Sequence, residues 1–267
     1  MEDFISQLPS PLQIIIDPIS LIILAMYAGL MVWEEIAPAR QLPKIRFWRL
    51  KGMISFTVFF FVSSYLPIWI DPLISQYMLF DLSGIGTLGG VIVGVLSYQL
   101  VFYIYHRSVH KIDSLWRTFH QMHHSAERVD TYGAFFFSPA EMISFTFLGS
   151  FVFAFLMGLP PQAITTIILL LNFLSIFQHA NIRTPRWLGY IIQRPESHSF
   201  HHGKGLHKGN YSDLPIWDIL FGTFKNPNDY EHETGFYHGA SNRIMDMMLF
   251  RDVSRTPLKR KIKQRRP

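Results

Sequence analysis

Five long stretches of the sequence are apolar and carry no charged residue, and they constrain the fold more than any other feature. They cover residues 19–33, 52–70, 84–105, 142–159 and 163–177. A helix needs about 20 apolar residues, and at least about 17, to cross the hydrocarbon core of a bilayer. The first and last stretches are short, so thinning of the bilayer or snorkelling of flanking side chains would have to make up the difference.

The low charge content agrees with a membrane protein. Only 16% of the residues are charged, whereas a soluble domain has about 25%. Buried helices of a large soluble protein are the alternative, but soluble cores rarely repeat such apolar runs. We therefore predict an all-α fold, a multi-pass transmembrane helical bundle of about four to five spans.

The basic residues predict how this bundle is oriented. The 24 Lys and Arg residues are absent from residues 1–39, 52–106 and 129–182, and they fall in residues 40–51, in residues 107–128 and from Arg183 onwards. Basic loops stay on the cytoplasmic side, so five alternating spans satisfy this pattern. We expect a bacterial inner-membrane protein, or an endoplasmic reticulum protein if the source is eukaryotic. The start of the chain lacks the basic region and cleavage site of a secretory signal, so we expect the first span to be retained.

Three regions follow from this pattern. Residues 1–83 would form an N-terminal anchoring region with two spans, residues 84–240 a domain that contains all twelve histidines, and residues 241–267 a basic cytoplasmic tail. The tail could touch anionic headgroups. A role in nucleic-acid binding is disfavoured, because no recognisable nucleic-acid-binding module accompanies it. The sequence has no cysteine, which excludes disulfides, thiolate nucleophiles and cysteine-ligated metals.

Two local patterns predict how helices pack. Gly90 and Gly94 are four residues apart on one helix face, which permits close approach of a second helix. Pro160 and Pro161 divide the apolar stretch from residue 142 to residue 177 into two helices. Since the turn between them is short, we expect these two helices to pack as antiparallel neighbours.

Eight of the twelve histidines form three clusters with regular spacing. The clusters are HxxxH at His106 and His110, HxxHH at His120, His123 and His124, and a second HxxHH at His198, His201 and His202. Side chains three or four residues apart share a helix face and can reach one metal ion. Adjacent residues point about 100° apart, so one histidine of each HH pair can lean towards a second ion. Eight nitrogens are too many for one site, and two sites with open positions fit better.

The predicted topology brings all three clusters together at the cytoplasmic face, just outside the bilayer. Imidazole suits zinc, copper, iron and nickel, so spacing alone leaves the metal open. Iron with open positions would activate O2, whereas a zinc-bound water would make a lipid hydrolase. A third possibility is a non-catalytic membrane protein that keeps the metal only for structure.

The ordered pattern HxxxH, HxxHH, HxxHH resembles the fatty acid hydroxylase and sterol desaturase superfamily. Its marks here are YHRSVH at 105–110, HQMHH at 120–124 and RPESHSFHH at 194–202, followed by NYSD and WDILFGTF. The resemblance implies a non-haem di-iron centre, O2 as co-substrate and hydroxylation or desaturation of a lipid or sterol. It also implies a separate electron-transfer protein or reductase, and a cytoplasmic catalytic cap on transmembrane helices.

The same resemblance extends the set of metal ligands to nine. Members carry an extra histidine between the last span and the final cluster, and His179 matches that place. Some members have another histidine four residues earlier, where this sequence has Ser175. The resulting set is His106, His110, His120, His123, His124, His179, His198, His201 and His202.

Other polar residues near the clusters are weaker candidates. His207 could be a further ligand or could support one, and Glu196, Asp213 and Asp218 are candidates for orienting an imidazole. We expect Glu34, Asp130 and Glu141 to be solvated charges at helix ends or in loops, although a carboxylate at either of the last two positions could also orient an imidazole.

Overall fold

A computed structural model of the protein describes residues 8–255, and within this range the chain is mostly helical. The basic segment 259–266 lies outside the described residues. In chain order, the helices are α1 Pro11–Ile16, α2 Pro18–Ile36, α3 Trp48–Ile74, α4 Gly86–Lys111, α5 Asp113–Phe119, α6 Gln121–His124, α7 Pro139–Ser150, α8 Pro161–Phe177, α9 Pro195–His201, α10 Ile216–Leu220 and α11 Ile244–Met248. Short 3-10 turns lie at Ser75–Tyr77, Thr131–Gly133, Arg186–Tyr190 and Ala240–Asn242, and a π-helical turn at Phe151–Leu156 follows α7.

Four helical segments are long and apolar enough to cross a membrane. They are Pro18–Ile36, Trp48–Tyr77, Gly86–Lys111 and Pro139–Leu156, and the 17-residue helix Pro161–Phe177 is a shorter apolar fifth. Many large apolar side chains on these helices are exposed, among them Leu88 at 75%, as expected for faces that contact lipid. The prediction of a helical membrane bundle with about four to five spans is confirmed. The division into regions 1–83, 84–240 and 241–267 stays a prediction.

The five apolar helices alternate in direction. The C-terminal ends of α2, α4 and α8 therefore meet the N-terminal ends of α3 and α7 at one end of the bundle. The small helices α5, α6 and α9 follow α4 and α8 at that same end. All three basic stretches of the sequence therefore lie at this end of the bundle, which we call the cap end. For the last stretch this holds for the described residues, which end at residue 255.

Side chains outside the helices determine where two of the spans begin. The carboxylate of Asp17 accepts the Ile19 N–H at 2.9 Å, and Pro18 occupies the first position of α2. The Ser138 hydroxyl accepts the Glu141 N–H at 3.2 Å, and Pro139 begins α7. Both arrangements satisfy N–H groups that a helix start leaves free.

The glycine face of α4 packs closely on α8, as predicted. A Cβ atom at Gly90 would lie 2.7 Å from Cβ of Ala163, and one at Gly94 would lie 2.5 Å from Cδ1 of Ile167. Larger side chains at these two positions would therefore push α8 away from α4.

The prediction that the two helices flanking Pro160 pack as neighbours is wrong. Helix α7 packs mainly on α3, whereas α8 packs on α4 and α2. The connection is longer than a two-proline turn, because it also contains the π-helical turn and β2 Met157–Gly158, which pairs in parallel with β1 Phe80–Asp81. The glycine face of α4 holds α8 at a distance from α7, and a cavity opens in the bundle.

Two carboxylates that we expected to be solvated are instead buried. Glu34 is 5% exposed and accepts the N–H groups of Thr131 and Asn181 at 2.8 and 3.0 Å. Asp130 is fully buried and accepts from the indole N–H of Trp48 at 2.9 Å. Both carboxylates satisfy backbone or indole N–H donors where the cap meets α2 and α3, which explains their burial.

Candidate metal centre

Short helical segments at the cap end of the bundle position the histidines. His106 and His110 lie in the last turns of α4. The first HxxHH motif spans α6 and the residue before it, and the second spans the end of α9 and the residue after it. Each motif keeps the local helical spacing that places its first, fourth and fifth residues on neighbouring faces.

Five histidines, which we call group A, place one nitrogen each within 4.8 Å of one another. They are His106, His110, His120, His124 and His201. Nε2 of His106 lies 2.8 Å from Nε2 of His120 and 3.2 Å from Nε2 of His110. Nε2 of His120 lies 3.1 Å from Nε2 of His124.

Four further histidines form group B in the same way. They are His123, His179, His198 and His202. Nε2 of His179 lies 3.1 Å from Nε2 of His123 and 2.9 Å from Nε2 of His198. His198 and His202 approach to 3.0 Å through the same atoms.

Each HH pair is divided between the two groups. His123 belongs to group B and His124 to group A, and His201 belongs to group A and His202 to group B. The two HxxHH segments therefore connect the groups. The structure brings together all nine histidines predicted from the sequence, and their role as ligands remains a prediction.

In several of these histidines Nδ1 contacts a backbone carbonyl, and this contact shows that Nε2, which points into the group, carries a lone pair. Nδ1 of His106, His179 and His201 lies 2.8, 2.6 and 2.6 Å from the backbone carbonyls of residues 211, 175 and 209. A carbonyl only accepts, so Nδ1 carries the proton and Nε2 is left as an acceptor. Nε2 lone pairs that converge at about 3 Å repel one another unless a cation lies between them.

This donor set fits a pair of transition-metal ions. Nε2 of His201 is buried without a hydrogen-bond partner among the described residues. With five and four histidines, both groups would keep positions open for O2 or water.

Burial keeps these imidazoles neutral, as ligands must be. Desolvation lowers the pKa of His120, His123 and His124 well below the ordinary value, and the neighbouring histidines lower it further. It lowers the pKa of His179 to about 4. The same cause acts on the final cluster, His198, His201 and His202.

A carboxylate from α7 holds one imidazole of group A. Oε1 of Glu141 lies 2.6 Å from Nδ1 of His120, and both side chains are buried. The solvated role that we favoured for Glu141 is therefore wrong, and its position is that of a residue that orients an imidazole. The distance along the chain, 21 residues, gave no local signal for this pair.

His207 contacts group A from outside. Its Nδ1 lies 3.0 Å from Nδ1 of His124, and burial lowers its pKa to about 4. His207 is not among the nine converging histidines. Its contact is that of a group supporting His124.

The three acidic candidates near the final cluster, Glu196, Asp213 and Asp218, have different hydrogen-bond partners. Asp218 accepts the N–H groups of Tyr211 and Ser212 at 2.9 and 3.0 Å, and so holds the loop whose carbonyl binds His106. Asp213 accepts the backbone N–H of Gln193 at 2.7 Å through its own carbonyl. Glu196 contacts no imidazole.

Two glutamines connect Asp213 to group B. The side-chain amide of Gln193 lies 2.7 Å from Nδ1 of His198 and 2.6 Å from the side-chain oxygen of Gln178, and the Gln178 amide donates to the Asp213 carboxylate at 2.8 Å. Glu196 instead binds Arg194 and Thr184, at 3.1 Å for the ion pair and 2.7 Å for the hydroxyl. Sequence reasoning missed Gln178 and Gln193, because neither belongs to a histidine motif.

A cavity of about 710 Å³ leads from both groups into the helical bundle. At the cap end it is lined by His106 and His120 of group A and by His123, His179 and His198 of group B. Its walls are rich in aromatic side chains, namely Phe56, Phe59, Phe102, Phe137, Phe145 and Phe153. A cavity of this size and lining suits an apolar ligand.

The family model and three relatives that match this chain all concern lipid hydroxylases or monooxygenases. Residues 91–223 match the fatty acid hydroxylase family. The chain is 34% identical over 142 residues to the ornithine lipid hydroxylase OlsE of Rhizobium tropici, covering 51% of this chain and 42% of that protein. It is 29% identical over 175 residues to human alkylglycerol monooxygenase, covering 63% and 36%, and 27% identical over 136 residues to a cholesterol 25-hydroxylase-like protein of Danio rerio, covering 48% and 53%. The chain thus spans about half or less of the length of these relatives, and no solved structure matches it significantly.

Proposed function

The chain belongs to the fatty acid hydroxylase family, and on that premise we propose that it is a membrane-bound non-haem di-iron oxygenase that hydroxylates or desaturates a lipid. One observation carries the proposal: the two histidine groups converge at the end of an apolar cavity that runs into the bundle. An alkyl or sterol-like part of a lipid in this cavity would meet both groups directly.

The nine histidines of groups A and B would hold the two ions, five on one and four on the other. Bound iron supplies the redox chemistry that activates O2 towards an unactivated C–H bond, which zinc does not supply. The reaction needs electrons from outside, and a separate electron-transfer protein or reductase would deliver them.

The residues of the chain perform two tasks around that chemistry. Glu141 and the carbonyls of the Tyr211 and Gly209 loop orient imidazoles of group A, so that the nitrogens are aligned before metal binds. Phe102, Phe137 and the other aromatic walls exclude water from the cavity, which protects reactive oxygen species from side reactions.

The experiment is to compare the lipids of cells with and without the protein, and then to assay it with purified components. Iron-loaded protein, supplied with lipid extract and a reducing system, should consume O2 and yield lipids heavier by one oxygen or lighter by two hydrogens. His201→Ala should abolish the product.

Other outcomes favour the alternatives. Protein that is active only with zinc and releases fatty acid without O2 consumption is a hydrolase. If His201→Ala lowers the unfolding temperature but no lipid changes even with the wild-type protein, the metal is structural and the proposal fails.

We also propose that the cap end with its basic loops is cytoplasmic. The sequence contains no cysteine, so single cysteines report on one position each. Lys208→Cys on the cap should react with thiol reagents only after they enter the cytoplasm, whereas Gln76→Cys should react from outside. The reverse pattern would contradict this orientation.

A further inference from the structure

The cavity that begins at the histidines ends at a polar region on the opposite side of the bundle. Along α3 its lining runs from Phe56 to Asp71, which is about 22 Å at 1.5 Å per residue. Near the histidines the α3 residues are aromatic, whereas the far end of the lining contains Gln13, Asp17, Ser63, Asp71 and Ser150. An apolar lipid tail alone would not require polar residues there.

Two polar side chains in this region lack the partners that buried groups normally have. The Ser150 hydroxyl lies close to the Asp71 carboxylate, but the contact falls outside the distance and angle limits of a hydrogen bond. One oxygen of Asp71 and the hydroxyl of Ser150 are therefore buried without a partner among the described residues. Ser150 is only 4% exposed and lines the cavity. Buried polar groups are almost always hydrogen-bonded, so these two indicate a ligand that donates hydrogen bonds.

The surrounding protein offers no positive charge to this region. Every residue that lines the cavity there lies in residues 1–39, 52–106 or 129–182, which contain no Lys or Arg. Within residues 8–255, neither Asp17 nor Asp71 forms an ion pair. Asp71 is partly buried and Asp17 is exposed, and a partly buried carboxylate without a counter-charge is stabilised by a cation, so a cationic ligand would stabilise this end of the cavity.

We propose that Asp17, Asp71 and Ser150 form a distal subsite for the amine headgroup of a lipid, whose chain extends through the cavity to the histidines. The ammonium would donate to the Asp71 carboxylate and to the Ser150 hydroxyl, with Asp17 at the rim. Binding of the amine does not depend on catalysis. The position of oxidation rests on the proposed function: with the headgroup about 22 Å away along α3, the oxidised carbon lies far along the chain and not in the headgroup.

A substitution at Gly149 can test separately whether the lipid chain passes through the middle of the cavity. It lines the cavity, and a Cβ atom there would have nothing within 4 Å. It lies one residue before Ser150 and eight residues, or about two helical turns, beyond Glu141. Gly149→Leu should therefore fill the cavity between the subsite and the metal groups without clashing with the backbone.

The binding test uses the full-length purified protein and two probes with the same chain, hexadecylamine and hexadecanol. The wild type should bind the amine at least tenfold more tightly than the alcohol. Asp71→Asn should weaken amine binding about tenfold or more, since a hydrogen bond between two charged groups becomes one to a neutral amide oxygen, and should leave hexadecanol binding within twofold. Asp81→Asn is the matched control, because this exposed carboxylate at the same end of the bundle does not line the cavity.

Equal affinity for both probes, or an equal effect of Asp71→Asn and Asp81→Asn, would overturn the subsite. The oxidation test then asks where an amine-bearing lipid is modified, using fragment masses. Oxidation on distant chain carbons, lost or moved by Gly149→Leu, supports the binding mode, and oxidation of the headgroup contradicts it. If no lipid is oxidised at all while the amine preference persists, the proposed function fails and the subsite stands.

Discussion

Replacing Glu141 by glutamine tests whether the carboxylate that contacts His120 increases the affinity of group A for metal. Glu141 lies 2.6 Å from Nδ1 of His120, and the two side chains are 0% and 3% exposed. In this dry setting the hydrogen bond between the imidazole and the carboxylate is charge-assisted. The substitution keeps the size of the side chain and one oxygen acceptor, removes the charge, and replaces the second oxygen by an NH2 group.

The expected magnitude follows from this contact. A hydrogen bond to a charged group contributes about 1.5–3 kcal/mol, and a neutral one about 0.5–1.5 kcal/mol. The difference of roughly 1.4 kcal/mol corresponds to about tenfold in an equilibrium constant. Glu141→Gln should therefore weaken metal binding in group A about tenfold, and Glu141→Leu, which leaves no acceptor, about 100-fold.

The metal-free protein should respond in the opposite direction. Oε2 of Glu141 is buried without a hydrogen-bond partner among the described residues, so glutamine removes the larger cost of burying a charge and adds the smaller cost of leaving its amide N–H groups unsatisfied. Thermal unfolding of the metal-free Glu141→Gln variant should thus occur at the same or a higher temperature than that of the wild type. With metal bound, it should unfold at a lower temperature.

The assay is a chelator competition with quantification of bound metal, together with thermal unfolding of both forms. Glu34→Gln is the matched control, because Glu34 is equally buried but binds Thr131 and Asn181 instead of an imidazole. Its metal affinity should stay within twofold of the wild type. The reasoning is refuted if Glu141→Gln binds metal as tightly as the wild type, or loses no more affinity than Glu34→Gln.

The two histidine groups and their supports lead to further predictions. His201→Ala should remove the ion of group A and His123→Ala that of group B, so metal analysis of each variant should find about half the wild-type content; loss of both ions from either variant would show one shared site. Gly94→Leu should destabilise the bundle by about 1–3 kcal/mol because it overpacks the contact between α4 and α8, whereas Gly89→Leu, on a less crowded face, should change the unfolding temperature little. Asp218→Ala leaves buried backbone N–H groups unsatisfied, each costing about 1–3 kcal/mol, and should lower both stability and metal content; unchanged metal content would contradict its role in holding the loop that binds group A.

Local patterns in the sequence predicted the helices and the histidine pairs. Uncharged apolar runs predict spans because a bilayer leaves the backbone no partner except itself, and the structure has helices at all five runs. The HxxHH spacing predicts that adjacent histidines point to different ions because the angle between neighbours is a property of the helix alone. Both inferences need only a few consecutive residues.

Contacts between distant segments could not be predicted in the same way. Glu141 and Glu34 both resembled solvated charges at helix ends, and only the folded chain shows that the cap covers them. The prediction that α7 and α8 pack together failed because the glycine face of α4 competes for α8 and a π-helical turn lengthens the connection.

The sequence by itself determined that apolar helices span a membrane and that imidazoles occur in sets able to share a metal, since both follow from spacing along the chain. Only the tertiary structure decided which histidines meet, which carboxylate holds His120, and that a cavity joins the histidines to Asp71. These relations depend on the paths of loops and on the packing of whole helices, and such long-range contacts leave no periodic mark on the order of residues.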